Sequence, residues 1–442
     1  MTLLVVSPDY ASHLYPLATL ATAWQQAGER VVVATGSATD EIVRGFGFDR
    51  EHLQLGRGSN PGVIRAEDQP RGEDEALRGF FDATRRGAVE TLAFQAAARG
   101  DDLLWEPLQV AKEVAAVVDR VRPDHVLVDH LAFSARLALM SAGVRHADVV
   151  LGHPSALTVG AEVYGYPPEW PRCFHPDPAA LASLHTQCIR VRDTFTARWN
   201  DTLRSLDPSA AASDDAFAET GDVLMLNYPA ELQPPQRTSL LPRHSFLGSA
   251  VRSEAPDAEV DAWLASGSAP VVYVSLGSFL SVRSDVLGRI AAALSGLDVR
   301  VALASGSTAV ADLGPVPSSW LVRRVLPQVT LLSRSAVMVS HGGNNSVTEA
   351  LTAAVPSLVL PLSTDQFAAA AALEAAGYAE VLDPNAASPE HIRDSVLRLR
   401  GLGGIPRTRL DQLSGRLTAT PGPVRARQAL LSATATVSRS SP

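Results

Sequence analysis

Short apolar runs rich in β-branched residues recur along this chain and alternate with helix-period patterns, in two series separated by a polar stretch near residue 250. Runs of about 4–8 such residues read as buried strands. Strands that alternate with helices pair in parallel, because a parallel neighbour needs a crossover connection. The first series opens with residues 2–7. Leu17, Leu20, Ala21, Trp24 and Ala27 follow at helical spacing, Gly28 stands where a helix would end, and Arg30-Val31-Val32-Val33-Ala34-Thr35 is the next strand. Val126-Leu127-Val128, Asp148-Val149-Val150-Leu151 and Asp222-Val223-Leu224-Met225-Leu226 continue the series.

The second series follows the linker Val251-Arg252-Ser253-Glu254-Ala255-Pro256-Asp257. Val271-Val272-Tyr273-Val274-Ser275 leads to Gly277-Ser278, a helix over 284–295 and the strand Val299-Arg300-Val301-Ala302-Leu303. Strands are predicted at 336–340, 357–361 and 379–382, and helices at 346–354, 366–376 and 388–400. The expectation is an α/β chain of two Rossmann-like domains, 1–250 and 251–420, facing across a cleft that holds the ligand. A tail, 421–442, is long enough to cross back to the first domain. Two segments lack periodicity and read as long loops: 56–80, with the acidic run Glu73-Asp74-Glu75, and the proline-rich 165–178. Loops of that length are commonly functional.

Composition narrows the function classes. Hydrophobic residues make up 46% of the 442 and charged ones 19%, ample for two cores, which excludes general disorder. A net charge of −9 argues against nucleic acid as a partner. Of the 38 basic residues only Lys112 is lysine, a bias that fits a GC-rich genome. Two cysteines, Cys173 and Cys188, exclude a disulfide framework and a cysteine-rich zinc site, and read as reduced thiols. Met1 runs into Leu3-Leu4-Val5-Val6 with no basic leader, and no run of about 18 apolar residues suggests an integral membrane segment. The expected location is the cytoplasm.

The stretch that carries most chemistry is Val337-Met338-Val339-Ser340-His341-Gly342-Gly343-Asn344-Asn345-Ser346-Val347-Thr348-Glu349-Ala350-Leu351. A buried strand ends in two glycines, and a small polar residue opens a helix. Gly342 and Gly343 allow backbone to approach an anion, while free N–H groups at the helix start supply donors and positive dipole. His341 and Ser346 add side-chain donors, and Glu349 can accept from vicinal hydroxyls. The plainer reading is a βα turn with Ser346 as its N-cap. The continuation Val355-Pro356-Ser357-Leu358-Val359-Leu360-Pro361-Leu362-Ser363-Thr364-Asp365-Gln366 then brings a carboxylate and an amide to the same rim, a pair suited to sugar hydroxyls.

From Pro327-Gln328 through His341-Gly342-Gly343-Asn344-Asn345-Ser346, Glu349-Ala350-Leu351 and Val355-Pro356 to Asp365-Gln366, the chain resembles the nucleotide-sugar signature of the inverting family 1 glycosyltransferases, which have the GT-B fold. The resemblance implies that His341, Asn345 and Ser346 contact the diphosphate, Glu349 the ribose, and Asp365 and Gln366 the donor sugar. Ser278 would lie near the phosphates and Gln328 at the base. Plant members place a stacking tryptophan where this chain has Val325, so uracil and thymine stay undistinguished. The resemblance implies a UDP- or dTDP-sugar donor, glucose or a deoxysugar, used as co-substrate with no other cofactor.

Ser12-His13-Leu14-Tyr15-Pro16-Leu17 resembles the family's Gly-His-x-x-Pro turn with serine in place of glycine. His13 is then the general base for a hydroxyl acceptor. Asp129, at the end of Asp124-His125-Val126-Leu127-Val128-Asp129, would fix its tautomer and stabilise the imidazolium, although an aspartate there also suits a helix N-cap. His130 and His153 are placed near the same rim as weaker candidates. No D-x-D triplet occurs, so the implied chemistry is metal-independent. Tyr166, Trp170 and Phe174 offer an apolar wall for a small natural-product acceptor, or else pack the loop itself. The alternatives are a sugar-nucleotide epimerase of the same fold and a silent homologue that activates a partner transferase. A nicotinamide or flavin oxidoreductase is disfavoured, because residues 7–13 contain no glycine. Oligomeric state stays open, a homodimer included.

Overall fold

In a computed structural model that describes residues 1–438, the apolar runs of the first series form β1 (Thr2–Val6), β2 (Arg30–Thr35), β3 (Asp49–His52), β4 (His125–Asp129), β5 (Ala147–Val150), β6 (Val223–Leu226) and β7 (His244–Phe246). Those of the second form β8 (Val271–Ser275), β9 (Arg300–Ala304), β10 (Leu321–Arg323), β11 (Ser335–Ser340), β12 (Ser357–Val359) and β13 (Ala379–Val381). The strands assemble as two sheets, in the orders β3-β2-β1-β4-β5-β6-β7 and β10-β9-β8-β11-β12-β13. Pairing is parallel throughout, with Val6 opposite Val128 in one sheet and Ser340 opposite Ser275 in the other. Chain order reverses between β1 and β4 and between β8 and β11. At such a point the connections leave to opposite faces and open a crevice at the strands' C-terminal ends.

Each central strand is buried on both faces, which is why it reads as a continuous apolar run rather than an alternating one. Trp24, Leu17 and Leu20 of the helix Ala11–Gln26 pack with Val5, Val33 and Leu127 on one face of the first sheet. The helix Gly422–Ser438 joins that same core through Ala426, Leu430 and Ala433, so the tail does return to the first domain. Residues 439–442 of the 421–442 tail lie outside the described residues. Among the described residues, no helix is long and apolar enough to cross a membrane.

Residues 165–178 stay irregular up to Asp177, whose side chain accepts from Ala180 N at 2.8 Å and caps the helix Pro178–Leu206. The segment 56–80 corrects the expectation of one long loop. Glu73 starts the helix Glu73–Arg86, and the acidic run forms its first turn, where carboxylates favour the positive end of the helix dipole. The loop proper ends at Gly72, and its Ile64 N–H donates to the Ser278 carbonyl over 3.1 Å, across to the second domain.

Candidate active site

His13 sits in the first turn of the helix Ala11–Gln26, beyond the C-terminal end of β1. Asp129 is the last residue of β4, the neighbouring strand, so the parallel register delivers both to one rim. His13 Nδ1 lies 2.7 Å from Asp129 Oδ2, and Asp129 Oδ1 accepts from Leu131 N at 2.8 Å. Asp129 thus caps the following turn and holds the histidine at once. A carboxylate on Nδ1 selects the tautomer that leaves Nε2 free to accept. Burial disfavours the imidazolium, but the charge and hydrogen bond of Asp129 outweigh it, and the His13 pKa lies above its ordinary value. The side chain is 27% exposed, on the cleft.

The opposite wall is built from β8 and β11. Gly342 has φ +84°, and a Cβ there would stand 2.7 Å from Val359 Cγ1, so only glycine passes. His341 is half-buried and lines the cleft; desolvation pulls its pKa down to about 4, so it is a neutral donor rather than a cation. Its Nδ1 has no partner among the described residues, a sign of a polar group that awaits a ligand. Gly277, φ +72°, makes room for this ring, because a Cβ would stand 2.6 Å from His341 Cε1. Ser278, Gln328, Gly343, Asn345, Ser346, Asp365 and Gln366 also line the cleft.

Several of these side chains are already engaged within the protein. Asn345 Nδ2 donates to the Ser12 carbonyl at 2.9 Å, and Asn344 Nδ2 to the Leu151 and Asn227 carbonyls at 2.6 and 2.9 Å. Ser346 Oγ donates to Gln328 Oε1 at 3.3 Å. Gln366 Oε1 accepts from Leu362 N and Ser363 N at 3.0 and 3.2 Å, and its Nε2 donates to Ser363 Oγ at 3.1 Å, so this amide organises its own turn. Asp365 Oδ2 accepts from His153 N at 2.5 Å, which fastens it to the first domain. Thr364 before it takes φ +50°, an uncommon value for a branched residue.

Other candidates are placed elsewhere. Glu349 is buried behind the wall, where Oε1 accepts from Arg252 Nη1 at 2.7 Å and Oε2 from Gln328 Nε2 at 2.5 Å. Tyr166 reaches the cleft, but Trp170 and Phe174 do not: their rings pack on Phe367, with centroids at 4.9 and 5.3 Å. The apolar lining comes instead from Leu77, Phe80 and Phe94, on the helices Glu73–Arg86 and Ala88–Asp102, and from Phe279. His130 is buried beside Asp148, its Nδ1 3.3 Å from Oδ2, and His153 is held neutral by burial, its pKa down to about 3. Neither faces the cleft, which has a volume of about 1850 Å³. Sequence reasoning missed Arg252, which lines it from the linker.

With that geometry in hand, resemblances to known proteins acquire meaning. Residues 190–398 match the family described as UDP-glucoronosyl and UDP-glucosyl transferase. The chain is 31% identical over 303 residues to the PGL/p-HBAD biosynthesis glycosyltransferase of Mycobacterium tuberculosis, covering 66% of this chain and 68% of that one. It spans 45%, 33% and 52% of the length of three relatives from Bacillus species. In fold it resembles the glycotransferase of kitacinnamycin, with a TM-score of 0.67 at 21% identity over 98% of both chains. It resembles equally the glycosyltransferase VinC solved with DTDP, with a TM-score of 0.66 at 19% identity over 98% of this chain and 99% of that one.

Proposed function

The chain belongs to the family 1 glycosyltransferases, of GT-B fold, and on that footing we propose that it is a cytoplasmic enzyme moving a sugar from a UDP- or dTDP-sugar to a hydroxyl of a small natural-product acceptor. The observation that carries the reading is the His13–Asp129 pair, 2.7 Å apart, at the rim of a cleft whose other wall is the loop His341-Gly342-Gly343. His13 Nε2 takes the acceptor proton as the acceptor oxygen bonds to the anomeric carbon. The bond from that carbon to the diphosphate breaks in the same step, and the nucleoside diphosphate leaves with its electron pair. Attack opposite the leaving group inverts the anomeric configuration.

Charge developing on the diphosphate is met by the neutral His341 donor, by Ser278, and by the free N–H groups that open the helix Asn344–Thr352. These groups support a metal-independent reaction. Asp365, held beside the first domain, is assigned to the donor sugar. Leu77, Phe80, Phe94 and Tyr166 are assigned to an apolar acceptor. The test is incubation with UDP- and dTDP-glucose and deoxysugar donors against a panel of polyketide and glycoside acceptors, read by mass spectrometry, with and without EDTA. A glycoside formed equally in EDTA is expected. Hydrolysis or epimerisation of the donor with no glycoside, or a strict need for a divalent ion, would overturn the corresponding part of the reading.

A further inference from the structure

We propose that Arg283 is a positioning residue that fastens the apolar acceptor wall to the second domain, so that a nucleotide bound there also orders the acceptor side of the cleft. The inference rests on the reading of the cleft as a nucleotide-sugar site, and extends it to a residue outside the cleft lining. Arg283 stands at the N-cap of the helix Ser284–Leu294 in the second domain, yet its side chain reaches the first. That side chain is only 1% exposed. Its Nε and Nη2 donate to Asp285 Oδ1 and Oδ2, each at 2.7 Å, and Nη2 donates also to Asn385 Oδ1 at 2.7 Å. Nη1 donates to the Thr84 carbonyl at 2.9 Å and to Thr84 Oγ1 at 3.4 Å. A guanidinium has five N–H donors in a rigid fork, and these bonds use all of them.

Thr84 lies in the last turn of the helix Glu73–Arg86, where carbonyls lack partners within the helix and a cation meets the negative end of the dipole. Asn385 Nδ2 donates to the same carbonyl at 3.0 Å, so two side chains of the second domain hold one carbonyl of the first. The helix held in this way supplies Leu77 and Phe80 to the cleft, and Phe80 packs against the core of the second domain. Leu77 and Phe81 pack with Phe279 and Val282, so the wall is built from both domains. The next helix, Ala88–Asp102, is tied similarly, since Gln95 Oε1 accepts from Thr364 N at 3.3 Å. Ser278, assigned to the diphosphate, directly precedes Phe279, and its Oγ accepts from Asn60 Nδ2 at 3.2 Å. Diphosphate contact, wall residue and Arg283 therefore share one short segment, 277–283. A nucleotide that orders this segment restricts Arg283, and through it the helix that the acceptor must meet.

The experiment is hydrogen exchange read by mass spectrometry on the full chain, with and without saturating UDP, beside calorimetric UDP binding. The parent is compared with Arg283→Met, Arg283→Lys and Asn385→Ala. UDP should slow exchange over residues 73–95 of the parent by about tenfold or more. Arg283→Met should lose that protection, in line with a hydrogen bond to a charged group. Its UDP affinity should fall by no more than the same factor, because coupling between two sites is reciprocal. Arg283→Lys keeps a donor for the Thr84 carbonyl and should fall between the two, a graded response that lost packing alone would not give. Asn385 is exposed, so Asn385→Ala keeps the fold and should lose part of the protection even where Arg283→Met does not fold. Residues 73–95 that ignore UDP in the parent, or full protection in Arg283→Met or in Asn385→Ala, would overturn the proposal. So would Arg283→Lys no better protected than Arg283→Met, or a UDP affinity loss larger than the lost protection. A parent chain that gives no binding heat with UDP would remove the nucleotide-sugar reading itself, and the inference with it.

Discussion

The side-chain amide of Asn345 donates to the Ser12 carbonyl over 2.9 Å, so the loop after β11 holds the turn that carries His13. The proposed leaving-group cradle and the proposed base are tied across the interdomain cleft by this bond. Asn345→Ala should lower kcat by about fivefold with a smaller effect on nucleoside diphosphate affinity, in line with one net hydrogen bond of about 1 kcal/mol. Asn345→Asp should be worse, since it sets a carboxylate against the Ser12 carbonyl and the diphosphate. Steady-state kinetics beside calorimetric binding separate the two effects; equal losses in kcat and affinity for Asn345→Ala would assign the residue to the diphosphate alone.

The pH profile follows from the His13–Asp129 pair. A base acts when neutral, and Asp129 raises the His13 pKa against the opposing effect of burial. The kcat/KM of the parent enzyme should therefore fall as pH drops through a value above the ordinary 6.5. Asp129→Asn removes the main raising influence and leaves burial opposed only by the lesser effect of Asp365, so the limb should move to lower pH while kcat falls by about 10²–10⁴-fold. His13→Ala should lose turnover and retain diphosphate binding. A profile that is flat from pH 5.5 to 8, or a limb that does not move in Asp129→Asn, would remove the pair from the base role.

The proposed contact of Asp365 with the donor sugar can be tested separately. Asp365 Oδ2 is used by His153 N and Oδ1 by Thr364 Oγ1 at 3.0 Å, yet each oxygen retains a further lone-pair position, and the residue lines the cleft. Asp365→Ala should raise the KM for the sugar donor about tenfold or more while the Kd of the free diphosphate changes little. A matching loss in both would assign Asp365 to domain contact instead.

Much of this was legible before any coordinates. The central strands follow from apolar runs that are buried on both faces, as in β1, β4, β8 and β11, whereas the reversal of chain order is visible only in the fold. The glycine-rich turn was legible because Gly342 has a conformational requirement that sequence displays directly. The acceptor wall was not. The helix Glu73–Arg86 buries only a stripe of Leu77, Phe81, Ala83 and Thr84, and its acidic first turn resembles a solvated loop until the dipole is considered. Trp170 and Phe174 were assigned to the cleft on aromatic character alone; their packing on Phe367 is a long-range contact that no local pattern encodes. Arg252 lacked any signal, because a single arginine in a polar linker acquires meaning only when Glu349 folds against it.

The space beside His341 is set by a glycine with its own constraint. Gly277 has φ +72°, and alanine there is strained both by backbone conformation, at about 1–2 kcal/mol, and by the His341 ring 2.6 Å from the added Cβ. Gly277→Ala should lower the melting temperature modestly and raise the Kd for the diphosphate by displacing His341. Calorimetry that shows unchanged diphosphate affinity in a folded Gly277→Ala protein would argue that the ring is not part of the cradle.

Stability also depends on a buried charge cluster behind Asp129. Arg136 and Asp148 are both fully buried, with Nε 2.7 Å from Oδ2, and His130 Nδ1 and His146 Nε2 stand 3.3 and 3.5 Å from the same carboxylate. Burial opposes ionisation of Asp148, and Arg136 together with His130 and His146 outweighs it, so its pKa lies below the usual value. Arg136→Met leaves that carboxylate without its cation and should cost about 3–5 kcal/mol at pH 8. Removing both charges together, as Arg136→Met with Asp148→Leu, should cost less, because no uncompensated charge remains. Burial lowers the His130 pKa, and Arg136 lowers it further. Without the guanidinium that pKa rises, and protonated His130 can then pair with Asp148. A group whose pKa rises in the folded state adds stability below that pKa, so the deficit of Arg136→Met should shrink between pH 8 and pH 6. Urea unfolding at the two values measures it, and a deficit that grows as pH falls would show that His130 does not take over the pairing.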